Sequence, residues 1–146
     1  MQFSCVQSIG GYFMNAFDFT VEAQDGSKVE LSNFKGKVLV IVNTATGCGF
    51  TPQYSKIDVN GDNAIPFYKW ITENTKFEGF SEPMSVILKP IVKKMDEDYK
   101  NNGKIKWKFT KIIVNREGEI VARFEPTAGI RKVAEKVREI LWDVSF

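Results

Sequence analysis

The run Lys37-Val-Leu-Val-Ile-Val-Asn43 constrains this chain more than any other feature. Its apolar residues do not alternate with polar ones, and Gly36 bounds it, as expected of a strand buried on both faces. The β-branched content favours a strand over a helix. Directly after it comes Thr44-Ala-Thr-Gly-Cys-Gly-Phe-Thr-Pro52, a turn-rich segment. A turn at the carboxyl end of a central strand is where open α/β sheets place their sites.

The rest of the chain supplies the other elements of an α/β domain. Phe17–Glu22 and Lys28–Leu31 flank Asp25-Gly26, a turn dipeptide that predicts a β-hairpin. A second hairpin is predicted where Asn115-Arg-Glu-Gly118 joins strands at Ile105–Val114 and Glu119–Phe124. Ala64–Thr72 reads as a short helix with Asn63 as its N-cap. Met84, Ile87, Ile91, Met95 and Tyr99 recur at helical spacing over Pro83–Asn101, where Pro90 is expected to break or kink the helix and Gly103 lies just past its end. Ile130, Val133, Val137, Ile140 and Leu141 predict a C-terminal helix packed on the surface of the domain. No repeat, low-complexity stretch or linker interrupts the 146 residues. The reading is an N-terminal tail over residues 1–15 and one domain over 16–146.

Two absences narrow the chemistry. The chain has no histidine, which excludes a Ser-His-Asp triad, a Cys-His dyad and every His-ligated metal site. Its two cysteines, Cys5 and Cys48, cannot build a zinc site or a disulfide framework, and that count suits a reducing compartment. Asp58-Val-Asn-Gly-Asp-Asn63 has neither the glycine nor the glutamate a calcium loop requires, since Asn63 and Lys69 stand at those positions. No metal or cofactor is expected.

Lysines cluster between Lys89 and Lys111, but Asp96, Glu97 and Asp98 dilute them and the net charge is only +2, so a nucleic-acid partner is not expected. No apolar run reaches membrane-spanning length and the start lacks a signal-peptide pattern; a cytoplasmic location without a membrane partner is expected. Cys48 remains as the candidate centre of chemistry. Gly47 and Gly49 allow close approach to its sulfur, and backbone N–H groups in such a turn favour the thiolate. A small buried cysteine after a strand is the competing reading.

Asn43-Thr-Ala-Thr-Gly-Cys-Gly-Phe-Thr-Pro-Gln-Tyr54 closely resembles the active-site signature of the glutathione peroxidase family. The resemblance extends over Phe17–Thr20, Leu31–Val38, Lys56–Gly61, Phe67–Trp70, Trp107–Lys111 and Val114–Gly118, and ends with Val121–Thr127. It implies a thioredoxin-like fold with an N-terminal β-hairpin and a central mixed sheet. It also implies a peroxidase acting on hydrogen peroxide or organic hydroperoxides, with glutathione or thioredoxin as reductant. By position Cys48 matches the family's peroxidatic residue, and Trp107 matches the tryptophan whose indole N–H can hydrogen-bond the reactive sulfur.

The chain departs from the family in three places. Only Ser55 separates Tyr54 from Lys56, where the family carries a helix, an edge strand, an active-site glutamine and, in some members, a resolving cysteine. The loss of that edge strand and its helix is expected to reduce the sheet and impair activity. Lys108 replaces the asparagine after the tryptophan, and Thr75–Gly103 looks expanded. Cys5, on the tail, is a weak substitute for a resolving thiol. The alternative is a non-catalytic thioredoxin-like binding module, and the oligomeric state is left open.

Overall fold

The computed structural model of the chain describes residues 8–9, 12–23, 25–44 and 57–143. The stretch read as a tail contains a short antiparallel pair, β1 (Ser8–Ile9) with β2 (Tyr12–Phe13). The strand expected from Phe17 starts only at Thr20, because Asn15 and Asp18 form a capping box around a 3-10 turn at Ala16–Asp18. The Asn15 side chain accepts from the N–H of Phe17 at 2.8 Å, and Asp18 accepts from the N–H of Asn15 at 2.8 Å. The predicted hairpin follows as β3 (Thr20–Glu22) and β4 (Lys28–Glu30), paired Thr20 to Glu30. Its turn uses Gly26 at φ 81°, a conformation that side chains with a Cβ resist.

A three-stranded sheet forms the centre, in the order β5 (Leu39–Val42), β6 (Lys111–Val114) and β7 (Ile120–Phe124). Both of its described pairings are antiparallel, with Leu39 opposite Val114 and Lys111 opposite Phe124. The predicted second hairpin joins β6 to β7. There the Asn115 side chain accepts from the N–H groups of Glu117 and Glu119.

One face of this sheet carries the main core. Ile112 and Val114 are buried with Phe19, Leu31 and Ile105 under helix α1 (Pro66–Asn74), which contributes Phe67, Trp70 and Ile71. Phe67 stacks on Trp70 at 6.0 Å and meets Phe19 at 5.4 Å. The helix begins at Pro66 rather than Ala64, and Asn63 does not cap it. A proline holds the residue before it extended, and Ile65 sits at φ −61° and ψ 151°.

The other face is only partly covered. Ile113 is fully buried, whereas Val40 is 46% and Val42 38% exposed. The strand expected to be buried on both faces is partly buried on one, through Leu39 and Ile41, and exposed on the other, and among the described residues it pairs on one side alone.

A second, smaller core is made by the segment between α1 and β6. Helix α2 (Ser85–Met95) buries Leu88 and Val92 against Phe80 and Tyr99, with Phe77 and Trp107 packed alongside. Pro90 does not break this helix. It removes one hydrogen bond, and the freed carbonyl of Val86 belongs to an exposed residue, where water can replace the lost partner. The apolar row Met84, Ile87, Ile91 and Met95 points away from the core and is exposed. Helix α3 (Ile130–Trp142) lies where the C-terminal pattern predicts, with Val133 buried and Ile130 and Leu141 exposed.

Gly103 packs on the carboxyl end of α1. A Cβ there would run into the backbone carbonyl oxygens of Thr72 and Thr75. Gly103→Ala is expected to lower the unfolding free energy by about 1–3 kcal/mol, read as a reduced urea midpoint. An unchanged midpoint would show that this contact yields freely.

Candidate active site

Cys48 and Cys5 lie outside the described residues. Trp107 is described. It lies not on a strand but on an irregular loop, residues 105–110, that precedes β6. The strand begins six residues later than the pattern at Ile105 suggested. The reason is visible in the hydrogen bonding, where side chains take the place of a neighbouring strand.

Asn43, the residue that ends the apolar run, makes four hydrogen bonds to the loop, two from its backbone and two from its side chain. Its backbone N–H donates to the carbonyl of Thr110 at 3.3 Å, and its carbonyl accepts from the N–H of Phe109 at 2.7 Å. Its side-chain oxygen accepts from the N–H of Thr110 at 2.8 Å, and its side-chain NH₂ donates to the carbonyl of Trp107 at 3.1 Å. Asn60 clamps the start of the loop in the same way, accepting from the N–H of Ile105 at 2.7 Å and donating to its carbonyl at 2.8 Å. Phe109 adopts φ 66°, so its exposed ring is carried by a strained backbone that these bonds over-determine.

A buried ion pair supports the loop from β7. Arg123 Nε donates to Glu125 Oε1 at 2.7 Å, and both side chains are at most 2% exposed. Two further guanidinium nitrogens donate to the carbonyls of Gly103 at 2.5 Å and Lys104 at 3.0 Å, and one of them also to Thr75 Oγ1 at 3.0 Å. Glu125 accepts from the hydroxyl of Thr110 at 3.5 Å and from the N–H of Glu78 at 3.4 Å. Trp107 is thus held on a pre-organised loop at the carboxyl end of β5, where the chain leads on toward Cys48. Lys108 is exposed, and because residues 107–109 form a turn, strand alternation does not decide where it points.

Sequence reasoning missed Asn43, Asn60, Thr110, Arg123 and Glu125. The one available signal was their place inside the matched segments. Their residue types alone suggest solvated polar positions. A cavity of about 620 Å³ opens beside β7 between Lys76, Arg123, Glu125 and Lys132, and Trp107 does not line it. Among the described residues no group of three Asp, Glu, Cys or His is placed to hold a metal.

The lysine cluster is not a uniform cationic rim. Lys106 is buried and its ammonium lies 2.8 Å from Asp96, with Asn102 as a second acceptor. Desolvation lowers the pKa of Lys106, while the hydrogen bond from Lys106, then that from Asn102, lowers that of Asp96. A carboxylate whose folded-state pKa is depressed stabilises the fold above its ordinary value of 3.8 and loses that contribution as the pH falls below it. Asp96→Asn is expected to cost about 1–3 kcal/mol at neutral pH, and the difference from the unaltered protein should shrink in melts taken below that value. A difference independent of pH would show that the charge on Asp96 is not what matters.

The family model described as glutathione peroxidase matches residues 16–58. A glutathione peroxidase homolog of Neisseria meningitidis is 30% identical over 182 positions, covering 88% of this chain and all of the relative. That match is longer than the 146 residues of this chain, so the relative carries residues with no counterpart here. A hydroperoxy fatty acid reductase of Synechocystis is 28% identical, covering 86% of this chain and 95% of the relative. Among solved structures, Trgpx in its apo form superposes with a TM-score of 0.65 at 25% identity, covering 89% of this chain and 97% of the other.

Proposed function

Taking as premise that the chain belongs to the glutathione peroxidase family and is an oxidoreductase of that type, we propose that it reduces hydroperoxides through the thiol of Cys48. The thiolate sulfur attacks the O–O bond, an S–O bond forms, and the alkoxide or hydroxide leaves with a proton as alcohol or water. The resulting sulfenic acid condenses with one external thiol, releasing water, and a second thiol displaces the mixed disulfide. Glutathione or thioredoxin supplies the two electrons. Trp107 donates its indole N–H toward the sulfur and steadies the developing charge.

The observation that carries this reading is the motif from Asn43 to Tyr54, joined to the way Asn43 pins the Trp107 loop. The same amide side chain that closes the central strand holds the loop of the second candidate residue. Activity is reduced relative to complete members, because no counterpart of the family's glutamine follows Cys48 and Lys108 replaces its asparagine. An ammonium can donate but cannot accept, so it does not substitute for an amide.

That replacement also favours a second reading, a non-catalytic thioredoxin-like module. Exposing the purified protein to hydrogen peroxide and trapping with a sulfenate-specific dione separates the two. The peroxidase reading expects one trapped adduct at Cys48, whereas an unmodified Cys48 leaves the binding module.

A further inference from the structure

We infer that Asn43 is the positioning residue of this site, the side chain that sets the indole of Trp107 relative to the segment carrying Cys48. The inference rests on the roles proposed above for those two residues and gives Asn43 a part in the reaction that acts through Trp107. The run Val38-Leu-Val-Ile-Val42 is apolar throughout and changes to an amide where it meets the 105–110 loop. There the backbone of Asn43 makes the last rung of the ladder, donating to the carbonyl of Thr110 at 3.3 Å and accepting from the N–H of Phe109 at 2.7 Å. That rung fixes where the chain sets out toward Cys48, five positions on.

The side chain of Asn43 fixes the other partner. Its NH₂ donates to the carbonyl of Trp107 at 3.1 Å, and the hydroxyl of Thr110 donates to the same carbonyl at 3.1 Å. Both lone pairs of that oxygen are therefore engaged, which holds the peptide plane and with it the direction in which Trp107 leaves the backbone. At its far end the ring packs against the Phe80, Leu88, Val92 and Tyr99 cluster. Phe109, in the same turn, stands at φ 66°, a conformation that a residue with a side chain leaves unless its neighbours hold it. An apolar residue at position 43 would continue the strand equally well. It would leave the N–H of Thr110, a buried residue, without the acceptor it has at 2.8 Å, and would take one of the two donors from Trp107. An amide supplies an acceptor and a donor together, whereas aspartate lacks the donor and leucine lacks both. What the amide adds is the geometry of the Trp107 turn, not the burial of the strand.

A double-mutant cycle of Asn43→Ala with Trp107→Phe tests the inference. Two rates are read for each variant, alkylation by iodoacetamide scored on the Cys48 peptide as a function of pH, and stopped-flow reaction with hydrogen peroxide. Asn43→Ala is expected to slow both at neutral pH by about fivefold to tenfold. In the Trp107→Phe background it should slow them no further, because the same indole contact cannot be lost twice. The pH dependence of alkylation should move upward in Asn43→Ala and in Trp107→Phe alike, as expected when a thiolate loses a donor. Asn43→Ser keeps one of the two side-chain bonds, should fall between, and carries the cycle if the alanine variant does not fold. Losses that multiply overturn the inference, since a merely structural role costs the same whichever ring stands at position 107. So does alkylation that Asn43→Ala leaves unchanged. A silent peroxide reaction in the unaltered protein, with alkylation still non-additive, removes the peroxidase reading and leaves the positioning role in place.

Discussion

Glu125→Ala is expected to lower the unfolding free energy by about 3–5 kcal/mol, because it strands the Arg123 guanidinium in the interior. Both side chains are almost fully buried, and the carboxylate is the only charge paired with Arg123 among the described residues. Without it, the cation keeps the carbonyls of Gly103 and Lys104 as acceptors but loses its counter-charge. The hydroxyl of Thr110 and the N–H of Glu78 lose an acceptor at the same time. Glu125→Gln keeps one acceptor oxygen but not the charge, and should fall between. Replacing both members with apolar residues of similar size, Arg123→Met with Glu125→Leu, should recover much of the loss, since the desolvation of both charges disappears together. Urea denaturation of Arg123→Met, Glu125→Leu and the double variant closes a mutant cycle. A loss below about 1 kcal/mol for Glu125→Ala would mean that water reaches the pair in solution.

Cys48→Ser is expected to reduce the rate of hydroperoxide reduction on the order of a thousandfold or more, with the melting temperature retained. A serine hydroxyl is not ionised at neutral pH and forms no stable sulfenate equivalent, so neither half of the cycle can proceed. Trp107→Phe should cost about tenfold or more, the worth of one hydrogen bond to a charged group. Phenylalanine preserves the ring packing against the Phe80–Tyr99 cluster, so this loss would be chemical and not structural. Stopped-flow kinetics with hydrogen peroxide and with an organic hydroperoxide reads both variants. Equal rates for Cys48→Ser and the unaltered protein would remove the thiol mechanism altogether.

Cys48 and Trp107 stand in segments that resemble a family signature. The turns at Asp25-Gly26 and Asn115–Gly118 are legible because their residue types suit only a few backbone conformations. Periodicity was less reliable where one helix is apolar on two sides. In α2 the row of Met84, Ile87, Ile91 and Met95 has the spacing of a core face, yet Leu88 and Val92 occupy the core. Spacing identifies a helix and its stripes, but only the position of the neighbouring chain selects which stripe is covered.

The amino-acid order by itself determined that the chain is an α/β domain of the glutathione peroxidase family and where the chain turns. Those properties rest on local backbone preference and on residue identity at matched positions. The tertiary structure alone decided that Trp107 sits on a loop and not on a strand, that two asparagines and a buried Arg–Glu pair hold that loop, and that Val40 and Val42 are partly exposed. Burial of a polar side chain depends on partners brought together from distant parts of the sequence. Asn43 and Thr110, or Thr75 and Arg123, become neighbours only when the sheet and the two cores have closed around them.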